Sequence, residues 1–259
     1  MPNWVTNKLT ISGPDAEKVM LAITAENENG EREVDFNKIL PMPKSLSMAS
    51  GSITNSSISA YLYKNPELRT DKLVESLNET AFGNFHFYDL DDEKYGELVE
   101  SYKDCAMSGI KGEQAFLDFG KRLLDNLEQH GHLDWYGWCN ANWGTKWNAC
   151  RSIVDETTTT FDTAWADVRD LICLLSKQYP KNTFEFQWAE EQTGHYVGEA
   201  TYENGEEISS IDYPDYSKEA YELAFNLRGG EDGYKFNEET QTYDWIDPDA
   251  EQKPDGGEM

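Results

Sequence analysis

Two stretches of apolar alternation, far apart in the chain, limit what it can fold into. Val5, Leu9 and Ile11 share the odd positions of the first, which Gly13-Pro14 ends. Phe184, Phe186 and Trp188 alternate in the second, and Tyr196, Gly198, Ala200 and Tyr202 alternate on its return. Period two marks a strand with one buried face. The turn residues Gln192-Thr193-Gly194, then Asn204-Gly205 before Glu206, predict an antiparallel meander that gathers its aromatics on one face. Ala16, Val19, Met20 and Ile23 follow the first strand at helical spacing, opened by Pro14, Asp15 and Glu17. Val168, Leu171, Ile172 and Leu175 form a second helical stripe before Tyr179-Pro180, and Thr157 to Phe161 is β-prone. This order predicts an α+β fold, a ferredoxin-like split βαβ antiparallel sheet with helices on one face.

The intervening residues follow another rule. Residues 44–60, rich in Ser, Asn, Gly and Ala, read as a mobile loop. Helical periodicity then runs from Asn65 to Leu127: Leu73, Leu77 and Phe82 suggest one helix, Leu98, Tyr102 and Cys105 a second, and Phe116, Phe119, Leu123 and Leu127 a third. The expected division is a core of residues 1–43 and 132–211, a loop with a helical insertion over 44–131, and an acidic C-terminal extension over 212–259. In the extension, Lys218 to Leu227 reads as a short helix and Tyr234, Phe236, Tyr243 and Trp245 as a hairpin, fraying past Pro248.

Four of the eight tryptophans, Trp135, Trp138, Trp143 and Trp147, fall within one short stretch with Asn140, Asn142 and Asn148. It reads first as a structural corner; as a ligand corner its residues would be Trp138, Asn142, Trp143, Lys146, Trp147 and Asn148. Lys146 suits a cation–π contact better than a catalytic base. The strings Pro2-Asn3-Trp4, Phe36-Asn37-Lys38-Ile39, Trp143-Gly144-Thr145-Lys146-Trp147-Asn148 and Thr163-Ala164-Trp165 resemble the YubB-type ferredoxin-like family of plasmid and phage proteins, over about 1–43 and 132–205. The resemblance implies a ferredoxin-like core and a mobile-element origin, and it implies no reaction. Cys150 departs from the pattern, where an aromatic is expected.

Chemistry-bearing motifs are scarce. His130-Gly131-His132 lacks further ligands at metal spacing, and Asp89, Asp91 and Glu93 open a calcium-like loop that Lys94 breaks where glycine is required. Glu190 and Glu191 adjoin on a strand end and point to opposite faces, which excludes a facing acid–base pair. Neither a phosphate loop nor a nucleophile elbow is present, so the expectation is a non-enzymatic protein with no cofactor and no metal. Four cysteines without a CxxC pair, no signal peptide and no long apolar span lead to the expectation of a soluble protein of the host cytoplasm.

Charge is the strongest global signal. The net charge is −27, from 49 acids against 22 bases. Residues 66–134 hold 16 acids against 7 bases and residues 203–259 hold 17 against 4. Such a surface repels nucleic acid and anionic membranes and attracts basic proteins. Joined to a mobile-element origin, it leads to the expectation of a phage or plasmid protein that inhibits a basic, nucleic-acid-handling or defence protein of the host, of anti-CRISPR or anti-restriction type, by imitating phosphates. The expected contact residues are Asp89, Asp91, Asp92, Glu93, Glu97, Glu100, Glu206, Glu207, Asp212 and Asp215. The alternative is a small-ligand module or enzyme at the Trp/Asn corner, residues 135–149.

Overall fold

The computed structural model describes residues 2–80, 85–105 and 109–246. It divides into two compact units: a sheet unit, Met1–Leu40 with Trp147–Met259, and a helical unit, Pro41–Lys146.

In the sheet unit, β1 (Trp4–Ser12) leads to α1 (Ala16–Ala22) and a small hairpin of β2 (Thr24–Glu26) and β3 (Arg32–Val34). After the excursion come β4 (Cys150–Val154), β5 (Thr158–Ala164), α7 (Arg169–Gln178), β6 (Thr183–Glu190), β7 (Val197–Glu203) and β8 (Glu206–Asp212). The strands lie in the order β4-β5-β1-β6-β7-β8, every neighbour antiparallel. β5 separates β1 from β4, and β1 separates β5 from β6. These two split βαβ halves make the ferredoxin-like α+β core, and β7 and β8 widen it. Alternation works as expected: Val5, Leu9, Ile11, Phe184, Phe186, Trp188 and Tyr202 are all buried on one face.

Helices do not keep to one face. α8 (Lys218–Arg228) seats Ala220 and Ala224 on Ala189 and Val197, which alternate with Trp188 and Gly198 and so lie on the opposite side of the sheet. Beyond it, β9 (Tyr234–Asn237) and β10 (Thr242–Trp245) bring Tyr234 and Tyr243 within 5.1–5.4 Å of the Phe225 ring. Residues 212–246 therefore belong to the sheet unit and are not a separate extension: a small-residue helix face and a ring cluster tie them down. The part expected to fray lies outside the described residues.

The helical unit contains α2 (Ser52–Lys64), α3 (Asp71–Thr80), α4 (Asp92–Tyr102), α5 (Gly112–His130) and α6 (Trp135–Trp143). The expected mobile loop over 44–60 is largely α2, one of the most buried helices of the protein. Its interior face is built from Ser56, Ser57, Ser59 and Ala60 as much as from Ile53, Ile58 and Leu62. Ser56 Oγ donates to Ser52 O at 2.9 Å and Ser57 Oγ to Thr54 O at 3.3 Å, so the hydroxyls are satisfied within the helix. Small side chains let α5 come close. A Cβ at Gly120 would overlap the Ser57 carbonyl.

The chain leaves the helical unit at residue 146 and not at 131. Leu133 is buried in the helical core, Asn126 Nδ2 donates to Leu133 O and Ser45 O at 3.0 Å each, and Cys139 Sγ lies 3.7 Å from Met42 Sδ. Phe82, expected in the first insertion helix, is outside the described residues. Among those described, no helix is long and apolar enough to cross a membrane.

Candidate functional site

Six of the ten expected contact acids lie on α4 or just before it, all exposed. Asp91 caps the helix, its carboxylate accepting from Lys94 N at 2.8 Å; that backbone bond holds its pKa below the usual range. Asp92 accepts the Tyr63 hydroxyl at 2.8 Å, and Glu100 pairs with Lys103 at 2.8 Å on the surface. Carboxylates at this end also suit the helix dipole. Tyr95 and Val99 are buried, which turns the opposite side, with Glu93, Glu97 and Glu100, to solvent. At about 1.5 Å of rise per residue, these three stand roughly 6 and 4.5 Å apart along the axis. A shallow groove of about 360 Å³ runs beside them, lined by Tyr88, Asp89, Leu90, Lys94, Glu97 and Leu98.

The other four belong to the sheet unit. Every residue of β8 is exposed, Glu206 stands opposite Glu203 across the β7–β8 ladder, and Glu207 stands opposite Tyr202. Asp212 and Asp215 have internal partners. Asp212 takes the Arg169 guanidinium at 3.0 and 3.2 Å; Asp215 accepts from Tyr196 N at 3.1 Å and lies 3.5 Å from His195 Nε2.

The Trp/Asn stretch falls on both sides of the division between the units. In the helical unit, Trp138 and Trp143 are buried edge to face, with centroids 5.5 Å apart. Asn142 Nδ2 donates to Trp138 O at 2.9 Å, Lys146 is half-buried, and Gly144, at φ 81°, ends α6. In the sheet unit, Trp147 lies 6.1 Å from the Trp4 ring, over which Arg151 sits at 4.3 Å. Asn148 Oδ1 accepts from Phe36 N at 2.8 Å while Nδ2 donates to Asp35 at 2.8 Å. Both asparagines bond to backbone or to a neighbouring turn.

A polar network at one end of the sheet escapes a sequence reading. Glu190, buried, accepts from Asn3 Nδ2 and lies 2.6 Å from His195 Nδ1, so His195 bridges Glu190 and Asp215. Glu190 is buried and Glu191 exposed, and Glu190 pairs with the histidine across the Gln192-Thr193-Gly194 turn. That turn, with ionisable groups on both sides, is the only signal the sequence offers. Alongside, Tyr196 OH donates to buried Asp167 at 2.7 Å, and Arg169 ties Asp167 to Asp212 and covers Trp188 at 4.1 Å. Burial lowers the pKa of Arg169, but its bonds to Asp167 and Asp212 outweigh this and raise it overall. Burial, then the Asp167 carboxylate, pushes Tyr196 up to about 12. The ring nitrogens of His195 both face carboxylates, so the network fastens the β6–β7 turn to the segment before α8.

Burial raises Cys139 to about 11 and also raises Cys150 and Cys173, which disfavours a thiolate. Among the described residues, no group of three His, Cys, Asp or Glu side chains is placed to hold a metal ion.

Residues 142–246 match the model of a family described as a ferredoxin-like domain in Api92-like protein. The chain carries a ferredoxin-like domain. The matched span runs from the end of α6 through β10, and β1 completes the same sheet from outside it. The crystal structure of protein Api92 from Yersinia pseudotuberculosis is similar at 12% identity and a TM-score of 0.37, covering 83% of this chain and 99% of that one. No curated protein matches the chain.

Proposed function

We propose that this protein acts by binding, docking a basic, nucleic-acid-handling protein and covering the surface that partner reserves for phosphates. The observation that carries the reading is the row of Glu93, Glu97 and Glu100 along the solvent face of α4, with Asp89 and the Tyr88 groove beside it. A rigid helix presents these carboxylates at fixed intervals, as a phosphate chain presents its charges to arginine and lysine. The mobile-element origin that the sequence resemblance implies supports inhibition of a host defence protein as the outcome of that docking. A ligand site over 135–149 has less behind it, because Asn142 and Asn148 are engaged with neighbouring backbone and turn groups.

The test compares the full chain with a variant carrying Asp89→Asn, Glu93→Gln, Glu97→Gln and Glu100→Gln. Both are used to capture proteins from a cell lysate at about 0.1 M and about 1 M salt, where the Debye length falls from roughly 10 Å to 3 Å. The expected result is a basic partner held by the parent chain at low salt, released at high salt and missed by the variant. Equal capture by both chains, or capture indifferent to salt, would refute the reading.

A further inference from the structure

The two edges of the six-stranded sheet are treated differently. Outside β4 lies the β2–β3 hairpin, whose Val34 N donates to Ser152 Oγ at 3.1 Å. Outside β8 there is no further strand among the described residues, and all seven of its residues are exposed. The β7–β8 register shifts by one residue at Tyr202, where Ile208 is the extra residue; on either side of that irregularity about half of the N–H and C=O groups of β8, those not turned toward β7, are free to pair with another strand. Ile208 and Ile211 are 56% and 48% exposed.

Charge decides what fits there. Asn204 and Gly205, both at positive φ, make a tight two-residue turn that sets Glu203 directly opposite Glu206, with Glu207 following on the other face. Like charges facing each other across a ladder are unfavourable, and a cation between them would relieve this. Lys177 packs its stem against Gly205, yet among the described residues no ion pair reaches Glu206 or Glu207. A second copy is a poor occupant. Antiparallel pairing of two β8 strands centred on Ser209 would set each Glu206 against Asp212, and parallel in-register pairing would stack glutamate on glutamate.

The geometry points to β8 as a docking edge for an extended basic segment of a partner protein, which adds a seventh strand with its lysines or arginines on the face of Glu203 and Glu206 and its apolar side chains on the other face. Backbone pairing supplies the affinity and the glutamates choose the sign of the partner. This edge lies in a different unit from α4 and stands or falls without it.

The probe is a synthetic peptide, Lys-Val-Lys-Thr-Lys-Val-Lys-Thr, titrated into the full chain at about 0.1 M salt. The expected result is slowed amide exchange at alternate residues of β8, with affinity about tenfold lower for the Glu206→Lys, Glu207→Lys variant. The same peptide N-methylated at alternate residues keeps its charge but cannot pair along one edge, and it is expected not to protect β8. Equal binding of the methylated peptide, binding without protection of β8, no binding, or a concentration-dependent dimer that occupies the edge would each overturn the proposal. The α4 variant with four neutralised acids is expected to bind the peptide as the parent does, which separates this edge from the α4 reading.

Discussion

The sheet unit and the helical unit meet the same packing demand with opposite side chains. Rings fill the sheet core, where Phe184, Phe186, Trp188 and Tyr202 are buried, and Gly198 leaves the room that Trp188 needs. At the α2–α5 contact of the helical unit, Ser57 and Gly120 let backbone approach backbone. Close packing is reached by volume in one and by its absence in the other. Each unit therefore turns on one glycine, and for different reasons.

The largest expected effect sharpens that contrast. Gly198→Ala would drive a Cβ into the Trp188 indole and the Ile211 carbonyl, and neither backbone nor a fully packed ring can yield, so a loss of about 3 kcal/mol or more is expected in chemical denaturation. Gly120→Ala tests the helical unit with an opposing propensity. On an open helix the change stabilises by about 1 kcal/mol; against Ser57 O it is expected to destabilise by about 2 kcal/mol, with amide protection lost in α2 and α5. Gly96, on α4 where an added Cβ would meet open space, is the control: Gly96→Ala is expected to stabilise by roughly 0.5–1 kcal/mol. If both alanines shift stability in the same direction, the close-approach account of α2 and α5 is wrong.

A smaller effect separates the units by pH. Tyr196 is raised from 10 to about 12, so its proton is held more tightly in the folded protein. The stability it contributes is present below pH 10 and lost as pH rises toward 12. Tyr196→Phe is expected to flatten part of that alkaline decline in the sheet unit, leaving the exchange rates of α5 on their original pH course. The smallest effect belongs to the α4 row. Neutralising Glu93 and Glu97 is expected to change stability by less than about 0.5 kcal/mol, because both are exposed and away from the buried face. A large loss there would mark them as structural and weaken the proposed role.

What could be read in advance follows the same contrast. Strand alternation shows in β1, β6 and β7 because one face is buried and the other wet, and the α5 stripe of Phe116, Phe119, Leu123 and Leu127 shows for the equivalent reason. α2 does not show, since a helix buried through serines has little polarity contrast and its residues are those of loops. β4 does not show either: Ile153 faces solvent at 74% exposure, which defeats an alternation test. Of the expected contact acids, Glu93, Glu97 and Glu100 share the solvent face of α4 as periodicity requires, whereas the bonds of Asp212 to Arg169 and of Asp215 to His195 join segments that only the tertiary fold brings together. The Glu190–His195 link was hidden because it crosses a hairpin turn that sequence places but does not close.

The position of β1 has a consequence for how the protein is made. It leaves the ribosome ahead of the other described strands and sits mid-sheet, with Asn7 bonded to Thr163 across 156 residues of chain. The helical unit is one continuous segment and can close on itself as soon as it emerges, while Val5, Leu9 and Ile11 must wait for partners synthesised after it. Nascent chains halted before residue 158 should therefore offer an unpaired apolar ribbon to chaperones, and that vulnerability ends only when β5 and β6 flank it.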